Sequence, residues 1–485
     1  MTVVWVFLVH HALWLTGLGV GALMAPSVLR QRRPTGSAFA WLLALVLIPY
    51  IGIPLYAAFG GRKFRGRVAA KGVLSLGAAR PAGSRPTPEA VLGADIPAPS
   101  RLSSLAWFAD GEQAYRGLVA GIEAAQRTIH IVTYLVGSDT TGTQVLAALA
   151  RKAAAGVEVH LLVDDLLFYR APRQAVAALE AAGGRLARFM PLIHLPFRGR
   201  ANLRNHRKIA IFDGQSAILG GMNLAEEYMG PTPFPGRWRD LGLRIEGDLV
   251  GTLEDIFRSD WKFAAGPTGG AGEASSSPRA SASASASPGT GSPAPPPSVA
   301  SVGPPARGPL AQVVPSGPDR PDDSLYDVLL QAVFGARARI WIATPYFVLD
   351  DALYKALELA ARRGVDVRIV VPARSNHRLV DLVAAALLRD LGNVGVDVRL
   401  YGPGMLHAKA VLVDETVVVV GLANFDLRSL YLDYEVALLL YGQDEARWLA
   451  GWFEATCATA ARGVPSVGKV VSTLQTIARL LAPLL

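Results

Sequence analysis

Two short stretches of this 485-residue chain carry the same chemistry-bearing residues in the same order: "HRKIAIFDGQSAILGGMN" and "HAKAVLVDETVVVVGLAN". His206 and His407, Lys208 and Lys409, Asp213 and Asp414, Gly220 and Gly421, and Asn223 and Asn424 each stand 201 positions apart (407 less 206 for the histidines). The chain has only 8 histidines and as few lysines, so two of each in one repeated pattern is a poor match to chance. In an extended strand residues i and i+2 share a face, so each His projects beside its Lys while neighbouring apolar residues anchor the strand. Asp240, in "RWRDLGLRIEG", and Glu435, in "LDYEVALLL", follow the two copies. Their surroundings are apolar, where an unpaired carboxylate is costly. A histidine ring nitrogen is the obvious partner; that bond fixes the tautomer and leaves the other nitrogen facing substrate.

Two imidazoles and two ammonium groups brought together suit displacement at a phosphodiester. One imidazole attacks phosphorus and forms a phosphohistidine. The other protonates the departing alkoxide and later takes a proton from the incoming hydroxyl. Lysines and asparagines neutralise and orient the non-bridging oxygens. No carboxylates cluster, so a metal-independent reaction with no cofactor is expected. The remaining histidines, His10, His11, His130, His160, His194 and His377, show no ligand-like spacing. The single cysteine, Cys457, excludes an intramolecular disulfide and a cysteine-based metal cluster.

The elements that must position these residues also repeat. "GIEAAQRTIHIVTYLV" predicts a helix end and a strand, and "QVLAALARKAAAGVEVHLLVDD" a helix, a stop at Gly156 and a second strand. The later "ARARIWIATPYFV" and "DALYKALELAARRGVDVRIVVP", with its stop at Gly364, predict the same series. An α/β fold built by duplication follows. Residues 265–308 are nearly all Gly, Ala, Ser and Pro, which predicts a disordered linker between two halves, 105–264 and 309–485. Residues 68–104 form a shorter linker, with a Pro/Gly/Ala stretch at 80–100.

Residues 1–67 read as membrane-anchoring. The run Val3 to Met24 is uncharged and long enough for a helix to cross the hydrocarbon core, which takes roughly 20 residues. A second uncharged run, Pro34 to Gly61, contains Pro49, Gly52 and Pro54, which predict a kink or a re-entrant path. A cleaved secretory signal would need a basic leading region, which is missing. Arg30, Arg32 and Arg33 follow the first run, and Arg62, Lys63, Arg65 and Arg67 the second. The larger cluster adjoins the long polar part, which places that part in the cytoplasm. The formal charge of +9 suits an anionic partner, a membrane surface or a nucleic acid. "VGKVVSTLQTIARLLAPLL" sets Val470, Leu474, Ile477 and Leu481 at helical spacing, for packing on the core or lying on a membrane.

The paired H-x-K-x4-D motifs resemble the phospholipase D superfamily. With "AWLLALVLIPYIGIPLYAAFG", "NLRNHRKIAIFDG", "GGMNLAEEY", "VVPSGPD" and "NFDLRSLYLDYEVAL", the chain is similar to bacterial cardiolipin synthases over most of its length outside the linker. The resemblance implies two phospholipase D-type domains related by pseudo-twofold symmetry, with the active site between them. It implies transfer of a phosphatidyl group from one phosphatidylglycerol to another, releasing glycerol, at a bacterial inner membrane. His206 and His407 become the catalytic pair, Lys208 and Lys409 the phosphate ligands, and Asn223 and Asn424 their helpers. Asp240 and Glu435 match the acidic partners, and Asp213 and Asp414 the motif aspartates, whose role the resemblance makes a supporting one. His206 is favoured as nucleophile. Leu422, in "GLAN", departs from the serine common in relatives and removes one phosphate hydrogen bond. The competing functions are a lipid-hydrolysing phospholipase D, a transferase using phosphatidylethanolamine as co-substrate, a nuclease and a non-catalytic membrane scaffold. The hydrophobic segments argue against the nuclease and nucleic acid as partner, and the intact motifs against the scaffold.

Overall fold

In a computed structural model of the chain, the structure describes residues 2–29, 35–59, 71, 74, 96–190, 203–266, 308–320, 322–421, 423–468, 471, 475 and 478. Most of the linker, the basic clusters after the hydrophobic runs, Leu422, and Val470, Leu474, Ile477 and Leu481 lie outside the described residues. Near the C-terminus, Gln475 and Ala478 are buried, and Ala478 joins the core of the second half.

Two sheets carry the molecule. The first contains β2 (Ser104–Phe108), β3 (Thr128–Thr133), β4 (Glu158–Asp164), β5 (Arg185–Phe189), β6 (Ile209–Phe212), β7 (Ser216–Gly220) and β8 (Gly242–Glu246), in the order β2-β8-β7-β6-β3-β4-β5. The second contains β9 (Leu310–Ser316), β10 (Arg339–Ala343), β12 (Asp366–Pro372), β13 (Asp397–Tyr401), β14 (Ala410–Val413), β15 (Val417–Gly421) and β17 (Glu435–Tyr441), in the order β9-β17-β15-β14-β10-β12-β13. The orders are the same strand for strand, with parallel pairs at β3/β4/β5 and β10/β12/β13 and antiparallel pairs elsewhere. β1 (Ser100–Arg101) and β18 (Ala460–Arg462) extend the edges of the second sheet, while β11 (Phe347–Val348) and β16 (Phe425–Asp426) form a small separate pair. The duplication expected from the sequence is thus a duplication of topology. The glycine stops serve as expected: Gly156 and Gly364 have φ of 88° and 84°, a left-handed conformation that ends a helix at little cost to glycine.

The halves share one core layer. Ile209, Leu219 and Leu243 of the first sheet pack in one cluster with Val313, Leu412 and Leu438 of the second. The helices Leu249–Ala265 and Gln443–Cys457 complete that layer through Ile256, Trp261, Leu449 and Phe453. The outer faces are separate: Ile129, Leu146 and Leu161 head one cluster, Leu357, Val367 and Leu388 the other. At roughly 25 cal/mol per Å² of apolar surface, the shared layer opposes separation of the halves.

At the N-terminus lie helices Thr2–Leu29, Thr35–Leu47 and Pro49–Phe59. The break at Ile48 falls where Pro49 cannot supply an N–H, as the sequence led us to expect. Backbone packs closely here: a Cβ on Gly52 would stand 2.3 Å from the Ala44 carbonyl oxygen and one on Gly21 2.6 Å from that of Leu45. Among the described residues no helix is long and apolar enough to cross a membrane. Leu23, Leu29, Phe39, Leu47 and Ile51 all point outward and exposed.

Candidate active site

The chain leading into β6 carries His206 and Lys208, and the chain leading into β14 carries His407 and Lys409. Both pairs lie at the seam between the halves. Two reciprocal sets of backbone bonds hold them there. His206 N–H donates to the Tyr434 carbonyl at 3.0 Å and Tyr434 N–H to that of Arg204 at 2.9 Å. In exchange, His407 N–H donates to the Arg239 carbonyl at 2.8 Å and Arg239 N–H to that of Met405 at 2.8 Å. Each contact is the other's counterpart when the halves are interchanged.

These bonds cross the carboxylate partners between halves. His206 Nδ1 meets Glu435 Oε1 of the second half at 2.9 Å, and His407 Nδ1 meets Asp240 Oδ2 of the first at 2.6 Å. Each imidazole is thus tied to its carboxylate through Nδ1, with Nε2 turned away from it. Gly221 makes room for one of these carboxylates: a Cβ there would sit 2.2 Å from Asp240 Oδ1. Tyr134 stands edge-on to the His206 ring, centroids 5.0 Å apart, while Tyr228 and Trp238 flank His407 at 5.1 and 5.2 Å.

Lys208 Nζ donates to the His206 carbonyl at 2.8 Å, and Lys409 Nζ to that of His407 at 2.5 Å. Lys409 Nζ also lies 2.7 and 3.0 Å from the two ring nitrogens of His407. Burial lowers the lysines to about 7 for Lys208 and about 8 for Lys409, against the pull of Asp240 and Glu435. Burial, followed by Lys208 and Lys409, holds His206 well below its ordinary value, and burial with Lys409 brings His407 to about 4. Both shifts favour the neutral ring. Burial pushes the Glu435 carboxyl well above the ordinary range. It pushes Asp240 the same way, but Lys409 and His407 outweigh it and leave Asp240 below its ordinary value.

The asparagines sit behind these groups. Asn223 Oδ1 accepts from Thr133 Oγ1 at 3.4 Å, at the C-terminal end of β3. Asn424 Nδ2 donates to Ser429 Oγ at 3.1 Å, and its buried Oδ1 has no partner among the described residues. The structure does not bring Asp213 and Asp414 to the histidines. They stand at the far ends of β6 and β14, with φ of 54° and 51°, and receive backbone N–H groups. Asp213 accepts from Gln126, Arg127 and Thr128 at 2.9, 2.7 and 2.9 Å, and Asp414 from Arg337, Ala338 and Arg339 at 3.0, 2.7 and 3.1 Å. Those bonds brace the starts of β3 and β10. Sequence reasoning also missed Arg207 and Gly221. Gly221 had a signal in the double glycine of "GGMN"; Arg207 looked like one more basic residue.

His130 and His160, far apart in the sequence, come together in the structure. Parallel β3/β4 register sets them side by side, and with Glu158 they form a trio of possible metal-ligand residues among the described ones. Their rings stack at 10° with centroids 5.1 Å apart, between Phe257 and Trp261. Parallel rings cannot both aim an in-plane lone pair at one ion. His130 Nδ1 is moreover engaged by Glu254 at 2.8 Å.

The geometry agrees with what the chain resembles. A family profile described as "Cardiolipin synthase, PLD-like domain" matches residues 118–261 and 329–457, and one described as "Phospholipase_D-nuclease N-terminal" matches 22–61. Cardiolipin synthase A of Pseudomonas entomophila is 32% identical over 425 residues, covering 84% of this chain and 83% of the relative. Cardiolipin synthase 1 of Bacillus cereus is 32% identical over 429 residues, covering 85% of this chain and 81% of the relative. Among solved structures, the phosphatidylserine synthase of Haemophilus influenzae superposes with a TM-score of 0.60 at 14% identity, covering 81% of this chain and 98% of that one. That last likeness shows a shared fold.

Proposed function

We propose, from the premise that this chain belongs to the cardiolipin synthase family with phospholipase D-like domains, how its own residues perform phosphatidyl transfer. The observation that carries the proposal is the crossed pair of histidine–carboxylate bonds. It gives two imidazoles, each tied through Nδ1 to a carboxylate of the other half, in a seam that also holds two ammonium groups, one of them on the His407 ring.

His206 is the nucleophile. Its side chain is 14% exposed against 5% for His407, and its ring is held neutral. Nε2 attacks the phosphorus of phosphatidylglycerol and the bond to glycerol oxygen breaks. His407 is the acid that protonates that oxygen. Asp240 suits this, because its second oxygen accepts from Leu241 N–H at 2.7 Å and it stays an anion beneath the ring. An arriving phosphate draws Lys409 from the ring and restores the basicity of His407, whose Nε2 takes a proton from solvent and then delivers it to the departing glycerol oxygen. In the second step His407 takes the proton from the hydroxyl of another phosphatidylglycerol, whose oxygen displaces His206 to give cardiolipin. Lys208, Lys409, Asn223 and Asn424 hold the non-bridging oxygens. Asp213 and Asp414 brace the fold. The reaction needs no cofactor or metal, and the halves act as one pseudo-twofold unit, 105–264 with 309–485.

The N-terminal helices seat this unit on the bacterial inner membrane, the outward apolar side chains of residues 15–51 entering the lipid and the catalytic halves facing the cytoplasm. Extraction with alkaline carbonate tests the seating: release of the whole protein would contradict it. The reaction is tested with purified enzyme, phosphatidylglycerol vesicles and a chelator. Equal yields of cardiolipin and glycerol are expected. Phosphatidic acid as the main product would mean that water, and not a lipid hydroxyl, resolves the intermediate.

A further inference from the structure

A buried cluster lies behind His206, built from residues outside the repeated motif. Arg207, wholly buried, donates from Nη1 to both oxygens of Asp260 at 2.9 and 2.8 Å. It also donates from Nε to the Glu435 carbonyl and from Nη2 to the Ser316 carbonyl, each at 3.1 Å. Asn205, on the other side of His206, donates to Asp260 at 2.8 Å. A second cation comes from neither half. Lys71, between the N-terminal helices and the first half, places Nζ 2.6 Å from Asp260 and 2.5 Å from Asp319, and 4.3 Å from the centre of the Tyr434 ring. The side chains of Lys71, Asp260 and Asp319 are all fully buried. Arg320 secures the same stretch by donating to the Leu74 carbonyl at 2.9 Å.

Two cations and two carboxylates balance. A buried charge that loses its partner is far costlier than a surface one. Without Lys71, Asp260 and Asp319 would share a single guanidinium, and Arg207 would be drawn between them. Arg207 is the residue that grips the main chain of Glu435. Burial pushes the Asp260 carboxyl up, but Arg207 and Lys71 outweigh it and hold it below its ordinary value.

We infer that Lys71 is a positioning residue of the reaction. It completes the charge cluster through which Arg207 holds Glu435, and so sets how the Glu435 carboxyl meets His206. The inference rests on the roles proposed above for His206 and Glu435. It makes the segment after the membrane-seated helices part of the catalytic unit, beyond a tether.

The test uses the full chain in phosphatidylglycerol vesicles, with rates normalised to the folded fraction by near-ultraviolet circular dichroism. Lys71→Met, Asp319→Asn and the double variant are compared for kcat, KM and the pH profile of kcat. Lys71→Met is expected to lower kcat by about 10- to 100-fold with little change in KM, the scale of a small misplacement of a reacting group. The acid limb of its profile moves. The double variant, balanced again with one carboxylate facing Arg207, recovers most of kcat. Wild-type kcat and pH profile in Lys71→Met, or a double variant as impaired as Lys71→Met, would overturn the inference. If Lys71→Met does not fold, Asp319→Asn and the double variant decide: recovery on adding Lys71→Met supports the role, and no recovery refutes it. A wild-type enzyme that makes no cardiolipin would remove the proposed function and this inference together, which sets that failure apart from a null result in the variants alone.

Discussion

His206 and His407 are sequence counterparts, yet their carboxylate partners are built differently. Asp240 has both oxygens engaged, one by His407 Nδ1 at 2.6 Å and one by Leu241 N–H at 2.7 Å. Glu435 has one oxygen on His206 at 2.9 Å, and its other, Oε2, is buried with no partner among the described residues. A carboxylate that accepts a backbone N–H is stabilised as an anion; one left half-satisfied in an apolar setting favours its neutral form. Duplication supplied two copies of one dyad, and local hydrogen bonding separated them into a firmly held anion at Asp240 and, at Glu435, a carboxylate that takes up a proton at higher pH. The same symmetric motif can therefore serve two different steps.

The sharpest way to break this comparison is to remove each histidine. His206→Ala and His407→Ala should each lower turnover by about a thousandfold. They should differ in the trapped species. Acid quench of a phosphodiester with a good leaving group should leave phosphohistidine in His407→Ala and none in His206→Ala. The reverse pattern would exchange the roles. Neutralising the partners comes next: Glu435→Gln and Asp240→Asn should each cost roughly 100-fold or more in kcat. Asp240→Asn should be largely rescued by a leaving group that needs no protonation, and Glu435→Gln should not.

The pH dependence sharpens the comparison further. His206 needs Glu435 as an anion to accept its Nδ1–H, so activity should fall as pH falls through the Glu435 carboxyl, which burial sets above the ordinary range. Lys208 and Lys409 lose their charge as pH rises through about 7 and about 8, which weakens phosphate binding. A bell-shaped kcat/KM is expected, measured on the free-enzyme side from pH 4 to 9. Lys208→Arg should push the alkaline limb upward. The smallest effect belongs to the motif aspartates. Asp213→Ala and Asp414→Ala should each cost about 1–2 kcal/mol of stability, the scale of losing a side-chain cap. Folded protein at low temperature should keep kcat nearly intact. A large loss of kcat without loss of stability would return them to the chemistry.

The repeated His, Lys and Asn were legible because strand periodicity and a constant offset are local properties of sequence. The acidic partners were legible as carboxylates in need of a donor, but not their exchange between halves, since that depends on how the two sheets meet. Arg207 was hidden by its neighbours. Between a His and a Lys that face substrate it reads as a third surface cation, and its partner Asp260 lies 53 residues away in the helix Leu249–Ala265. Lys71 stands in a stretch with no periodicity to mark it. The stacked His130 and His160 needed the β3/β4 register to come together.

One further feature bears on how the chain is put together. Ser100 and Arg101, which precede the first half, pair as β1 with β9 of the second, and Pro97 accepts a hydrogen bond from Gln312 at 2.9 Å. Gly308 N–H donates to the Leu102 carbonyl at 3.1 Å. The stretch before the first half thus lends a strand to the second, while the peptide link between the halves enters at the same edge. Covalent continuity there is redundant: a gene split between the codons for residues 266 and 308 should yield two polypeptides that find each other and assemble into one working enzyme, neither being soluble or active by itself.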